Sequence, residues 1–344
     1  MRALTISDHG GPEQLRYRES LPAPILAGAH DVRVRIRSAA LNHLDLFVLE
    51  GAPGISIVPP WIPGSDGAGE IESVGSAVTR VKVGDRVLLN PGSSCGTCEY
   101  CTSGDQPLCL RYRILGEHVP GTLAEFVVVH ESRAHIIPDG VTFDQAAAFP
   151  LATLTAWRMV VTRARVTAGE DVLIRGIGGG VAQAALQIAG GLGARVWVSS
   201  TSEEKLERAR AMGADETLNQ HTHDVGREAR ARTGKRGMDV VIDNVGVATW
   251  SQSLFALGRR GRLVTCGGTS GPMVETDVRR MYWNQWTLMG STMGSDAEFD
   301  AIMDELRAGR LLPEIDSVFD LVDGQAAFVR LAAGDQFGKV VIRV

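Results

Sequence analysis

The chain has 344 residues, of which 44% are hydrophobic and 22% are charged, and its formal net charge is −5. This length allows two domains of ordinary size, each with its own hydrophobic core. The acidic balance excludes a nucleic-acid-binding surface, and no apolar run is long enough to span a bilayer, so the expected partner is a small-molecule substrate.

The beginning of the chain and its cysteines indicate where the protein works. Residues 1–5 are typical of a strand and not of a signal peptide. Five cysteines in such a chain are expected to bind metal or to remain free thiols instead of forming disulfides. We therefore expect a cytoplasmic protein.

Short strands and glycine turns are predicted over residues 1–150. Val32, Val34 and Ile36 alternate with charged residues, as in a half-buried strand. A Gly/Pro-rich passage follows at 51–69, and further short strands come after it. This pattern predicts a compact β-rich domain.

A cysteine-rich lobe lies at residues 91–112 of this domain, with the spacing C-x2-C-x2-C-x7-C. Four closely spaced thiolates enclose one tetrahedral zinc without an open position, so such a metal contributes folding energy and no chemistry. We therefore predict one structural Zn2+, and Cys266, outside the lobe, is expected to be a small buried residue. The predicted zinc ligands are Cys95, Cys98, Cys101 and Cys109.

A strand, a glycine turn, a helix and a second strand are predicted over residues 171–199. Residues 172–174 suit a buried strand, the turn spans 176–180, and the helix ends near Gly193. Glycines at this place let the backbone approach a pyrophosphate, whose charge is favoured at a helix N-terminus. The spacing Gly-x-x-Gly-x-x-Ala in this context favours dinucleotide binding over an ordinary tight turn.

The end of the second strand carries hydroxyl groups where an acidic residue would favour NADH. Residues 199–202, with Lys205 one turn later, suit the 2′-phosphate of NADPH, so NADPH is predicted in preference to NADH. Alternatively, Thr201 and Glu204 form a capping box and Lys205 is a solvated charge. The predicted cofactor-binding residues are Gly176, Gly178, Gly179, Gly180, Val181, Ser199, Ser200, Ser202, Lys205, Asn244 and Gly267.

Apolar strands at 240–242, 263–265 and 287–289 alternate with helical segments. Such alternation predicts an α/β domain with a doubly wound parallel sheet, which we assign to residues 151–292. Residues 293–344 end in a predicted helix and strand that return to the first domain.

Several motifs occur in the order seen in the medium-chain dehydrogenase/reductase family. They are Asn42-x-x-Asp45, the Gly-Ser-Asp-Gly run at 64–67, the cysteine lobe and the glycine turn. The resemblance covers essentially the whole chain. It implies a GroES-like catalytic domain and a Rossmann cofactor domain, with the active site in the cleft between them. It also implies pairing through the edge of the cofactor-domain sheet into a homodimer or homotetramer.

The chain departs from the zinc alcohol dehydrogenases of this family at the catalytic zinc site. The matching positions are Asn42, Ser65 and Leu151, and none of them is a good zinc ligand. The Asn-x-x-Asp motif resembles the quinone oxidoreductase and enoyl reductase branch, which works without metal. The resemblance therefore implies a chain that keeps the lobe zinc and reduces its substrate without a second one.

Three functions are compatible with these motifs. The first is an NADPH-dependent reductase of conjugated enones, enoyl compounds or quinones. The second is an alcohol dehydrogenase whose metal is held by residues such as His43, Asp66, Glu117 or His118, and the third is an NADPH-binding protein without turnover.

For the reductase, the predicted catalytic residues are Asn42, His43 and Asp45. His43 would protonate the enolate that hydride addition leaves, and Asp45 would orient it. The alternatives are that His43 is a loop histidine with local hydrogen bonds and that solvent supplies the proton.

Overall fold

A computed structural model describes all residues, 1–344, and divides the chain into two compact units. The first unit comprises Met1–Ala152, Ser295–Arg307 and Leu312–Val344, and the second comprises Thr153–Gly294 and Ala308–Leu311. The boundaries expected from the sequence, at 150/151 and 292/293, lie close to these. The difference is that residues 308–311 belong to the second unit, although the residues on either side of them belong to the first.

Seventeen strands and eleven α-helices make up the two units. The strands are β1 (Ala3–Ile6), β2 (Leu15–Arg18), β3 (Asp31–Ala40), β4 (Asp66–Val74), β5 (Arg86–Leu89), β6 (Gly92–Ser93), β7 (Arg113–Ile114), β8 (Phe126–His130), β9 (Ala134–Ile136), β10 (Asp171–Arg175), β11 (Arg195–Ser200), β12 (Glu216–Asn219), β13 (Met238–Ile242), β14 (Leu257–Thr265), β15 (Thr287–Gly290), β16 (Ile315–Asp320) and β17 (Lys339–Arg343). The helices are α1 (His43–Glu50), α2 (Glu99–Thr102), α3 (Phe143–Ala148), α4 (Pro150–Trp157), α5 (Gly180–Gly191), α6 (Glu203–Ala211), α7 (Val225–Arg232), α8 (Trp250–Ala256), α9 (Val278–Asn284), α10 (Asp296–Arg307) and α11 (Gly324–Ala333).

The first unit is built on a seven-stranded sheet. Its order is β16-β17-β3-β4-β5-β9, and β8 pairs with β3. The predicted alternation in β3 is confirmed, because Val32, Val34 and Ile36 are buried in the core. β17 pairs antiparallel to β3, and the amide of Leu41 donates to the carbonyl oxygen of Val340 at 2.9 Å. This pairing brings the beginning of β17 next to the residues that follow β3.

The second unit contains a six-stranded parallel sheet in the order β12-β11-β10-β13-β14-β15. All residues of β10 are buried, as expected of a strand covered on both faces. The predicted α/β class, a GroES-like domain with a doubly wound parallel-sheet domain, is confirmed. None of the helices combines the length and the apolar character needed to cross a membrane.

Two local features differ from the sequence-based expectation. The helix expected to resume at Leu151 begins at Pro150, because proline is well tolerated in the first turn of a helix. β16 was not predicted, because its residues are only partly buried and its apolar pattern is weak.

Candidate functional site

The four lobe cysteines converge on one point. Their sulfur atoms all lie within 4.8 Å of one another, with Sγ–Sγ distances of 3.5 Å for Cys98–Cys101 and 3.8 Å for Cys95–Cys101. Thiolates bound at about 2.3 Å around a tetrahedral zinc lie about 3.8 Å apart. The cluster therefore fits the predicted structural zinc.

The backbone around the lobe supports this arrangement. β6 and β7 pair at its base, which brings the two ends of the lobe together. The amides of Arg111 and Cys95 donate to Sγ of Cys109 at 3.4 and 3.5 Å. Because N–H donors favour the charged form of an acceptor, these contacts suit a metal-bound thiolate.

The predicted glycine turn joins β10 to α5. Gly176 has φ +68°, a conformation that favours glycine. Gly179 is the N-cap of α5 and is in an extended conformation. A Cβ added to Gly179 would meet only the carbonyl oxygen of Gly176, at 3.9 Å. The space before the helix N-terminus is therefore open, and it fits an anion such as a pyrophosphate.

Hydroxyl groups at the end of β11 are tied to the backbone. Ser199 and Ser200 are buried, and Oγ of Ser200 accepts from the amide of Ser202 at 3.1 Å. Oγ of Ser202 accepts from the amide of Lys205 at 3.3 Å, so Ser202 is the N-cap of α6. The alternative of a capping box that starts at Thr201 is therefore wrong. Each of these two accepting hydroxyls keeps its own proton for donation.

The remaining predicted cofactor residues lie at the same edge of the second sheet. Asn244 follows β13 and Gly267 follows β14. Oδ1 of Asn244 is buried without a hydrogen-bond partner, and a Cβ on Gly267 would meet only the carbonyl oxygen of Asn244, at 3.7 Å. Val181 is partly exposed in the first turn of α5. Doubly wound folds bind nucleotides at this edge, beyond the carboxyl ends of the strands.

A buried polar network lies in the first unit, around the fully buried carboxylate of Asp66. Its Oδ1 accepts from the amide of Leu151 at 2.9 Å. Its Oδ2 accepts from Nδ2 of Asn42 at 2.9 Å and from Nζ of Lys339 at 3.1 Å. Lys339 also donates to Oδ1 of Asn42. An ammonium group that is only 4% exposed therefore contacts Asn42, one of the positions that match zinc ligands in sequence, and the carboxylate of Asp66.

Asp45 closes the N-terminus of α1. Its carboxylate accepts from the amides of Asn42 at 2.7 Å and Gly64 at 3.1 Å. Complete burial raises the pKa of Asp45 to about 7, although the amide donors and Lys339 favour the charged form. Asp45 bonds to these backbone amides and forms no hydrogen bond with His43, so an orienting role toward His43 remains a prediction.

His43 is the first residue of α1 and is partly exposed, with its ring 6.4 Å from that of Phe47. Burial lowers the pKa of His43 below its ordinary value, and the charge of Lys339 lowers it further. The imidazole is therefore mostly neutral at pH 7.

The residues named for an alternative catalytic metal do not form a ligand set. The lobe is the only group of three or more Cys, His, Asp or Glu side chains close enough to share an ion. Glu117 and His118 lie 3.6 Å apart, but Nδ1 of His118 accepts from the amide of Ile114 at 3.2 Å. Asp66 is already engaged by the three donors described above.

Two residues of interest escaped prediction from the sequence. They are Lys339, the first residue of β17, and Arg175, the last residue of β10. The signal common to both is a cation directly beside a run of buried apolar residues, 340–342 in β17 and 172–174 in β10. Charged residues are almost never fully buried unless they are paired or functional.

Two protein families match this chain. Residues 28–139 match the alcohol dehydrogenase GroES-like domain, and residues 180–308 match the zinc-binding dehydrogenase family. A quinone oxidoreductase of Pseudomonas aeruginosa is 34% identical, with 99% of each chain covered. The chain belongs to the medium-chain dehydrogenase/reductase family. It is therefore an enzyme, an oxidoreductase that depends on a nicotinamide cofactor.

Other relatives of this medium-chain dehydrogenase/reductase carry alcohol dehydrogenase names. An NAD-dependent alcohol dehydrogenase of Sulfolobus acidocaldarius is 30% identical, with all of both chains covered. The crystal structure of another NAD-dependent alcohol dehydrogenase is 41% identical, with a TM-score of 0.96 and all of both chains covered. Family members are commonly oligomeric, and the lobe of this member fits one structural zinc.

Proposed function

We propose that this enzyme is an NADPH-dependent reductase of conjugated enones, enoyl compounds or quinones that uses no catalytic metal. The observation that carries the proposal is the buried ammonium of Lys339, which bonds to both Asn42 and Asp66. A divalent cation brought to these residues would meet a fixed positive charge in a buried environment, where charge repulsion is strong. The side chains at the three matching positions, an amide, a hydroxyl and an aliphatic group, also offer no good zinc ligand.

The network fixes the orientation of the Asn42 amide. Its Oδ1 must face Lys339, because an ammonium only donates, and its Nδ2 must face Asp66, because a carboxylate only accepts. One N–H of Nδ2 is used by Asp66, and the second N–H is left for another acceptor. The ammonium of Lys339, bonded to Oδ1, polarises the amide and makes this N–H a better donor.

The proposed chemistry follows from this donor. When it is bound, the nicotinamide cofactor supplies the hydride. An acceptor conjugated to a carbonyl is the easier target without a Lewis acid, because negative charge moves onto the carbonyl oxygen. The free N–H of Asn42 would hold that oxygen and stabilise the developing charge. Lys339 and Asp66 act through Asn42 and are positioning residues.

We further propose that His43 is the proton donor to the resulting carbanion. His43→Phe should lower kcat by about 10²- to 10⁴-fold, the usual contribution of one acid–base group. Because the pKa of His43 is lowered, the limb in which the rate falls with rising pH should lie on the acid side of 6.5. The measurement is the pH–rate profile of kcat at saturating NADPH. The same pH–rate profile is measured for His118→Phe, because His118 is the other histidine that could donate the proton.

Two outcomes would remove His43 from this role. One is a His43→Phe variant that keeps the wild-type kcat and the same pH dependence. The other is loss of the limb in His118→Phe alone, which would make His118 the donor.

NADPH is the proposed cofactor because the end of β11 offers hydroxyl donors and no carboxylate. Ser200 and Ser202 keep protons to donate, and Lys205 adds a cation one turn later.

We also propose a homodimer or homotetramer, with β15 at the exposed end of the sheet. A cytoplasmic location is proposed because the lobe thiols need reducing conditions to stay available to zinc.

Alcohol oxidation is the second candidate, because the 41% identical structure is named an NAD-dependent alcohol dehydrogenase. The deciding experiment measures kcat/KM for enones, enoyl compounds, quinones, aldehydes and alcohols, with the NADP and the NAD form of the cofactor in turn. We expect NADPH-dependent reduction of a conjugated acceptor to exceed alcohol oxidation by at least about 10²-fold, since only the former is activated without a metal. A higher kcat/KM for an alcohol would overturn the proposal.

A further inference from the structure

Arg175 is a buried arginine that ends β10, directly before the glycine turn. It is only 1% exposed. Its Nη2 donates to Oε1 of Gln220 at 2.8 Å and to Oε1 of Gln252 at 3.4 Å. Its Nε and Nη1 are buried and have no hydrogen-bond partner. Both of its acceptors are neutral amides, and it forms no ion pair.

Such a group destabilises a folded protein unless something compensates for it. Burying a charge that is not paired costs free energy, and an unused buried donor adds to that cost. Burial lowers the pKa of Arg175 to about 10, with Asp243 and Asp224 acting in the opposite direction, so the group stays charged at neutral pH. Asp243 does not bond to it, since its oxygens accept from the hydroxyls of Thr249 and Ser253 and from loop amides.

The position of this cation points to the adenosine half of the cofactor. Arg175 lies opposite Ser199 in the β10–β11 register, and Oγ of Ser199 is likewise buried without a partner. Gln220, whose side chain accepts from Arg175, donates through its backbone N–H to the carbonyl oxygen of Ser200 at 2.9 Å. The charge is therefore next to the end of β11, which leads into the residues that we assign to the 2′-phosphate.

We propose that Arg175 is a specificity-determining residue, whose buried positive charge favours the 2′-phosphate of NADPH over the ribose hydroxyl of NADH. The proposal rests on the proposed preference for NADPH. Its physical basis is that a charge in a buried environment is screened little by solvent, so it attracts an added dianion without touching it. The stability lost by burying Arg175 is then offset when the cofactor binds.

The test is the binding of NADP+ and NAD+ to Arg175→Met by titration calorimetry, together with thermal unfolding of the free protein. Methionine keeps most of the volume and removes the charge. We expect the Kd for NADP+ to rise about tenfold and the Kd for NAD+ to change less than about threefold, because only the former carries the extra charge. The Tm of the free variant should stay the same or rise, because an unpaired buried cation has been removed.

Two further variants keep the test decisive. Arg175→Lys retains a cation and should keep the wild-type preference, and Lys205→Ala reports on the partly buried cation that we assign to the same phosphate. If wild-type protein binds NADP+ and NAD+ equally, the NADPH assignment fails and this inference fails with it. If wild type prefers NADP+ and Arg175→Met keeps that ratio, only the inference about Arg175 fails. A lower Tm with an unchanged ratio would make Arg175 a structural residue.

Discussion

Replacing Lys339 with methionine is expected to lower kcat for a conjugated acceptor by about 10²-fold, the usual loss when a donor to a developing oxyanion is impaired. Lys339 holds Oδ1 of Asn42 and polarises its amide. Without the ammonium, Asn42 can rotate and its free N–H becomes a weaker donor. The measurement is steady-state kinetics at saturating NADPH. Lys339→Arg is the matched control, because it keeps the positive charge and should retain more activity.

Stability must be separated from catalysis in this experiment. Removing Lys339 leaves the fully buried carboxylate of Asp66 without its cation. Breaking a buried ion pair in this way lowers the free energy of unfolding by about 3–5 kcal/mol. Lys339→Met combined with Asp66→Asn removes both charges and should recover much of that stability without recovering kcat. Turnover at the wild-type rate in the double variant would show that the ammonium has no part in the reaction.

Replacing Cys98 with serine is expected to release the lobe zinc and to lower the free energy of unfolding by about 4 kcal/mol or more, because loss of a structural metal is among the largest single-residue effects. Leu108 and Leu110 of the lobe are exposed and contribute little to a core, so its shape depends on the four converging cysteines. Zinc content and thermal unfolding are measured on the same samples. Cys266→Ser is the control, because Cys266 lies outside the lobe and its removal should leave the zinc bound.

Loss of the lobe zinc should not change the chemistry of the reaction. Any Cys98→Ser protein that remains folded should keep its proton transfer and hydride chemistry, because the lobe offers no open coordination position. A variant with full stability and selectively lost turnover would contradict a structural role for the lobe zinc.

The parts of the structure that the sequence predicted well are local. The βαβ segment from β10 to β11 could be recognised because its glycines, apolar strand and amphipathic helix are contiguous. The zinc lobe could be recognised because its four ligands fall within 15 residues, 95–109. In both segments, the spacing of residues along the chain determines their arrangement in space.

The parts that escaped prediction depend on pairing between distant segments. Lys339 reaches Asn42 across 297 positions of sequence, through the pairing of β17 with β3. The capping of α6 by Ser202 depends on where the helix begins, and such boundaries shift easily by one residue. Nε and Nη1 of Arg175 are buried without a hydrogen-bond partner, and this can be seen only once the surrounding residues are packed in three dimensions.

Reduction of a conjugated acceptor without a catalytic metal is best tested by the molar ratio of zinc to chain in fully active protein. We expect one zinc per chain, bound by the lobe and lost in Cys98→Ser, with activity that needs no added metal. Two zinc ions per chain, the second removed together with all activity while the lobe zinc stays bound, would contradict it.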